Sequence, residues 1–250
     1  AVQAVVSAAG VLTFAAAAGI FDDLAVGQTD EFAFAYEITD GNGGSATATA
    51  TVTIVGQNDA PTVSGVVSAI AGEDDAPFGV DLLQGASDVD DGASLAVSNV
   101  SLISGDASGV VVTGATLAVD TSAYGRLGDG ESEVIRYSYN VVDEHGAAVA
   151  QTAEITIVGA NDAPEIENPI VADATEDDAD FVVDLLAGAT DAEGDGLQIQ
   201  NFVLVTGSAA GVTINGATLE VAPDAYNFLP VGQSAEIVYS YDIVDGAGAV

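Results

Sequence analysis

The chain has 250 residues, of which 39 are Asp or Glu against 2 Lys or Arg, giving a formal net charge of −37. That balance excludes nucleic-acid backbones and anionic membrane surfaces as partners, because both demand basic residues. Hydrophobic residues at 49% exclude an acidic disordered chain, and the absence of cysteine excludes disulfides and thiol chemistry.

In chain order, Ala1 to Ile20 is apolar and small but has no basic flank and is interrupted by Gln3, Ser7 and Thr13. It therefore reads as neither a signal peptide nor a membrane span. Gly10–Phe21 stands where Gly114–Tyr124 and Gly216–Tyr226 stand later, so an internal strand region is expected. Phe32, Phe34, Tyr36 and Ile38 alternate with Glu31, Ala33, Ala35 and Glu37, the period of a half-buried strand. A turn at Asp40-Gly41-Asn42-Gly43-Gly44 leads into a second alternation, with Thr47, Thr49, Thr51 and Thr53 opposed to Ala48, Ala50, Val52 and Ile54. Asn58-Asp59-Ala60-Pro61 follows, and the same string returns at Asn161–Pro164, 103 residues on (58 to 161).

Flanking residues keep this step, shortened to 102 in the later copy by the loss of one residue. A short turn is expected at Asp81–Gln84 and again at Asp184–Ala187. Ile135, Tyr137, Tyr139 and Val141 repeat the aromatic strand, as do Ile237, Tyr239, Tyr241 and Ile243. Thr152–Val158 repeats the Thr-rich one. Asn215-Gly216 reads as a tight hairpin because both residues tolerate positive φ, with Thr113-Gly114 in its place one copy earlier. A period near a hundred residues is a domain, too long for a solenoid unit. The expected organisation is the C-terminal part of a repeat over 1–57, a complete repeat over 58–160, and a repeat lacking its last strand over 161–250. About seven strands per copy, with no long amphipathic helix, predict an all-β fold of tandem immunoglobulin-like β-sandwiches.

The acids fall at recurring turn positions, where they could supply the six to eight oxygen ligands that calcium takes. Four sets recur: Asn58-Asp59 and Asn161-Asp162 at the junctions; Glu73-Asp74 and Glu176-Asp177; Asp88 and Asp90, matched by Asp191, Glu193 and Asp195; and the turn aspartates Asp40 and Asp245. Asp191-x-Glu193-x-Asp195-Gly196 matches the first half of an EF-hand loop, but position twelve would be Phe202 and no helix precedes it. Glu73, at an expected strand end, is placed so as to fold back towards Asp59. Ca2+ is the expected cofactor, and it would also relieve the self-repulsion of so acidic a chain. The only histidine, His145, cannot make a zinc site alone. Carboxylates that recur in turns of every copy do not form an active site, so no enzyme is expected.

The run from Gly27 to Pro61, with its E-F-A-F-A-Y-E-I-T-D-G-N-G-G strand and turn and its closing N-D-A-P, resembles the VCBS and cadherin-like tandem repeats of giant bacterial surface proteins, including RTX-type adhesins. The resemblance covers essentially the whole chain. It implies calcium-stiffened β-sandwich modules outside the cell that extend an adhesive tip and support cell adhesion or biofilm formation. Asp143-Glu144-His145-Gly146 departs from the D-G-x-G turn, and Asp143 is therefore left out of the ligand set. The partners expected are neighbouring repeats joined through calcium-bridged junctions. The alternative is a filament or sheath subunit assembled by strand exchange between incomplete sandwiches, with self-association into fibres.

Overall fold

The computed structural model describes residues 2–7 and 9–250; Ala1 and Ala8, within the apolar opening stretch, lie outside the described residues. The described chain is built of strands, with short 3-10 turns at Thr121–Tyr124 and Pro223–Tyr226. No helix among the described residues is long and apolar enough to cross a membrane.

The first repeat contributes β1 (Gln3–Val6), β2 (Leu12–Ala15), β3 (Thr29–Thr39) and β4 (Ser45–Val55). The second contributes β5 (Thr62–Val63), β6 (Val67–Gly72), β7 (Phe78–Asp81), β8 (Ala86–Ser87), β9 (Ala96–Ser104), β10 (Val110–Thr113), β11 (Thr116–Val119), β12 (Ser132–Val142) and β13 (Ala148–Val158). The third contributes β14 (Glu165–Ile166), β15 (Phe181–Asp184), β16 (Ala189–Thr190), β17 (Gln198–Thr206), β18 (Val212–Asn215), β19 (Thr218–Val221) and β20 (Val238–Val244). In the second repeat, β6, β13, β12 and β9 bond in that order as one sheet and β10, β11 and β7 as the other. The chain divides into two compact units: residues 1–69, 78–119 and 134–155, and residues 70–77, 120–133 and 156–250.

In the first unit, β3 and β4 pair antiparallel over their full length, from Thr29↔Val55 to Thr39↔Ser45, around the Asp40–Gly44 turn. The expected inward face is realised fully on β12, where Ile135, Tyr137, Tyr139 and Val141 are all buried. On β3 it is realised by half. Phe14 of β2 packs on Phe32 and Phe34 at ring separations of 5.6 and 6.2 Å, while Tyr36 and Ile38 stay exposed. Tyr139 Oη donates to Leu82 O at 2.8 Å and so ties β12 to the turn that leaves β7. Burial, with Asp81 nearby, pushes its phenol up to about 12. β9 follows β12 with register shifts near Asn99, which takes φ +55°, a conformation asparagine tolerates better than other non-glycine residues.

In the second unit, β15, β19 and β18 form one sheet and β17 and β20 another. Tyr241 Oη reaches Leu185 O at 2.9 Å, and Asn201 takes φ +52°, repeating the solutions at Tyr139 and Asn99. The β18–β19 hairpin closes at Asn215↔Thr218, as expected. Positive φ, however, falls on Gly216 alone (+61°), and Asn215 stays in the strand, where its amide donates to Glu220 Oε1 at 2.9 Å. A groove of about 970 Å³ opens in the third repeat, lined in part by Phe181, Val183, Leu219, Tyr239 and Tyr241.

Candidate functional site

Each Asn-Asp-Ala-Pro linker leaves a long strand through a glycine that has no room for a side chain. A Cβ on Gly56 would stand 2.2 Å from Leu24 O and 2.3 Å from Ala25 O. One on Gly159 would stand 2.2 Å from Leu127 O and 2.4 Å from Gly128 O. The bare backbone lets the end of β4 or β13 lie on the loop entering β3 or β12. Gly56 N donates to Gln28 O and Gly159 N to Glu131 O, both at 3.0 Å. The direction of each linker is fixed there.

The linker asparagine then reaches the turn aspartate of its own repeat. Asn58 Nδ2 donates to Asp143 Oδ2 at 2.8 Å and to Asp59 O at 2.7 Å. Asn161 Nδ2 does the same with Asp245 Oδ2 at 2.7 Å and Asp162 O at 2.9 Å. The other oxygen of each aspartate holds its own turn. Asp143 Oδ1 accepts the N–H groups of His145 and Ala147, and Asp245 Oδ1 those of Ala247, Gly248 and Ala249. The asparagine amide, followed by those N–H groups, holds both carboxyls below the usual range. Asp143, left out on sequence grounds, therefore occupies the same place as Asp245. The turn needs only an aspartate and backbone N–H groups, so Glu144 and His145 leave it intact.

The alternating acids close the other side. Asp90 Oδ2 accepts Asp59 N at 2.9 Å, and Asp88 Oδ1 accepts Asp90 N at 3.0 Å. Glu193 Oε1 accepts Asp162 N at 3.4 Å, and Asp191 Oδ1 accepts Asp195 N at 2.9 Å. In both copies the remaining oxygens, Asp88 Oδ2 and Asp90 Oδ1, then Asp191 Oδ2 and Glu193 Oε2, are buried without a hydrogen-bond partner. Burial, then the charges of Asp162 and Asp191, pushes the Glu193 carboxyl up. Asp91 N also donates to Asp23 O at 2.9 Å, which ties this loop to the first repeat.

Glu73 does not fold back towards Asp59. It is 3% exposed, its Oε1 accepts Ala160 N at 2.6 Å, and its Oε2 accepts Leu127 N at 3.3 Å. It thus stands beside Asn161-Asp162, because β6 carries the chain about 20 Å before Glu73 is reached, at roughly 3.3 Å per residue. Asp74 is exposed, and it is Asp75 that caps the adjoining turn through Gly72 N at 2.8 Å. Glu176 and Asp177 lie in the corresponding turn, which Asp178 caps through Thr175 N at 2.7 Å, but they make none of the contacts of Glu73. Asp40 is exposed and accepts Asn42 N and Gly44 N at 2.7 and 2.9 Å, which holds its carboxyl low. Among the described residues, no three His, Cys, Asp or Glu side chains are gathered closely enough to hold a metal by themselves. Each junction offers two inward carboxylates, and further oxygens would have to come from asparagine, backbone, or the side chains of Asp59 and Asp162.

The cadherin-like domain family matches the chain over residues 57–158 and 160–250. The chain belongs to that family. The two Asn-Asp-Ala-Pro strings stand at the start of the two matched cadherin-like domains, and the orphaned carboxylate oxygens lie beside them. No curated protein matches the chain. Among solved structures it is similar to protocadherin gamma B7 extracellular cadherin domains 1–4, at 15% identity and TM-score 0.41, covering 98% of this chain and 64% of that one. It is also similar to the human desmocollin-1 ectodomain (15%, TM-score 0.41, 88% and 45%) and to an endo-fucoidan hydrolase of glycoside hydrolase family 107 (16%, TM-score 0.31, 98% and 35%). The chain spans less than two thirds of the length of each of these structures.

Proposed function

We propose that the chain is a run of calcium-stiffened extender domains of a secreted or cell-surface bacterial adhesin, serving cell adhesion or biofilm formation by a mechanical rather than a catalytic role. The observation that carries this reading is the pair of buried, unpartnered carboxylate oxygens at each of the two linkers. A buried acceptor without a donor is costly, and a hard cation with oxygen ligands would satisfy it. At the first junction Asp88, Asp90, Asn58 and Asp59 would hold the ion, with Asp143 orienting Asn58. At the second, Asp191, Glu193, Asn161 and Asp162 would hold it, with Asp245 in the orienting role and Glu73 fixing the linker through Ala160 N. Calcium supplies positive charge and a cross-link. The protein's own residues fix the linker asparagine and bring the alternating acids against it. Neighbouring repeats of the same chain are then each other's partners. Small-angle scattering and thermal melting, with calcium and with chelator, test the proposal. Greater length and a higher melting temperature with calcium are expected; no change in either overturns it.

A further inference from the structure

The two junctions are not equivalent, and the difference lies just outside the proposed ligands. Glu144 follows Asp143 in the turn after β12, and its Oε2 accepts Ser94 N at 2.8 Å and Ser94 Oγ at 3.3 Å. Ser94 is in the loop that carries Asp88 and Asp90. His145 Nδ1 lies 3.5 Å from the other oxygen of Glu144. In the third repeat both ends of this contact are glycine: Gly246 stands in the place of Glu144 and Gly196 in that of Ser94. The acid has moved across the gap. Asp195 occupies the place of Ala93, one residue after the positive-φ glycine that both loops keep (Gly92 and Gly194), and its Oδ2 lies 3.6 Å from where a Cβ on Gly246 would be. Among the described residues, no donor reaches the Asp195 carboxylate. The closing bond of the second junction is also the longer one, 3.4 Å from Asp162 N to Glu193 against 2.9 Å from Asp59 N to Asp90.

We propose that Glu144 is a positioning residue that latches the loop bearing Asp88 and Asp90 onto the turn bearing Asp143, so that the first junction keeps its form without a cation while the second depends on one. The proposal rests on the reading of the junctions as cation sites. It adds that the array stiffens in two stages, with the second junction the calcium-responsive hinge and the first held by the chain itself. The physical reason is simple. A carboxylate that accepts two hydrogen bonds from one serine holds that loop without help, whereas the exposed Asp195 carboxylate, facing a bare glycine, accepts no donor from the opposite turn and holds nothing.

Hydrogen exchange of the full chain in chelator tests this, with the amides of 91–96 and 194–198 read separately. The first loop should exchange more slowly than the second. Glu144→Ala removes both bonds and should speed exchange at Ser94 by about fivefold, the scale of losing the one exposed charge-assisted hydrogen bond that its amide makes. Glu144→Gln, whose amide oxygen still accepts, should keep most of the protection, a rescue that mere perturbation of the turn would not give. The triple change Asp195→Ala, Gly196→Ser and Gly246→Glu should transfer the latch and slow the second loop. Neither Gly196 nor Gly246 has positive φ, and an added Cβ meets nothing closer than that 3.6 Å contact. Added calcium chloride should protect the second loop more than the first. Equal exchange of the two loops in chelator, or no effect of Glu144→Ala at Ser94, overturns the latch. If the latch variants behave as stated but calcium protects neither loop, the cation reading fails and the two-stage stiffening with it, while the latch stands.

Discussion

Asp143 and Asp245 use one carboxylate oxygen on an asparagine amide and the other on turn N–H groups, so neither has an oxygen left without a donor. Their folded pKa values lie below the ordinary value of 3.8. The stability they contribute is therefore complete above that value and is lost as pH falls through the depressed folded value. Asp143→Asn should flatten the acid limb of the metal-free stability–pH curve and leave the neutral plateau lower; an unchanged acid limb would refute the assignment. Asp191 has the opposite problem, with an oxygen buried and unpartnered among like charges. Asp191→Asn should raise the metal-free melting temperature by a few degrees, the scale of a ~1 kcal/mol relief in a domain of this size, and shrink the increment from calcium. A lower metal-free melting temperature would mean that Asp191 is an ordinary structural residue. These two kinds of acid look alike in sequence. Asp-Gly in a turn and Asp-x-Asp in a loop both read as candidate ligands, and only placement against Asn58 and Asn161 separates the orienting carboxylates from the inward ones.

Strand identity was legible wherever a face alternates. The Thr-rich and aromatic runs became β4, β3, β12, β13 and β20 because a sheet buried on one side imposes period two on its residues. Strand length was not legible, and that misplaced Glu73. Fourteen residues in sequence suggested nearness to Asp59, whereas an extended six-residue strand carries Glu73 to Leu127 and Ala160. The bulges at Asn99 and Asn201 were equally silent, since one asparagine in a strand has no signature until its φ is known. The linker glycines are the element-scale feature most open to test. Gly159→Ala forces a methyl to within 2.2 Å of Leu127 O, so the end of β13 or the loop before β12 must shift. Strain of this kind costs about 1–3 kcal/mol, and here it should also weaken calcium binding at the second junction by misdirecting Asn161. Gly130→Ala is the control. Gly130 has positive φ but open space around it, so it should lose stability while keeping calcium affinity.

At the scale of the whole molecule, the −37 charge makes two accounts of calcium possible: occupation of built sites, or general screening of a self-repelling chain. They separate by salt. The Debye length falls from about 10 Å at 0.1 M to about 3 Å at 1 M, so sodium chloride alone should raise the metal-free melting temperature and then level off. Millimolar calcium adds almost nothing to ionic strength at that plateau. A site filled to a hundred times its dissociation constant still adds about 2.7 kcal/mol of stability there, because linkage depends on binding and not on screening. Calcium at about 1 mM should therefore raise the melting temperature further in 1 M sodium chloride. Magnesium should do so less, because it gives up its water reluctantly and demands an octahedron that two carboxylates and the linker's oxygens are poorly arranged to supply. If the calcium increment disappears in high salt, or if magnesium matches it, the acids act as a diffuse charged surface, and the buried oxygens of Asp88, Asp90, Asp191 and Glu193 need another explanation.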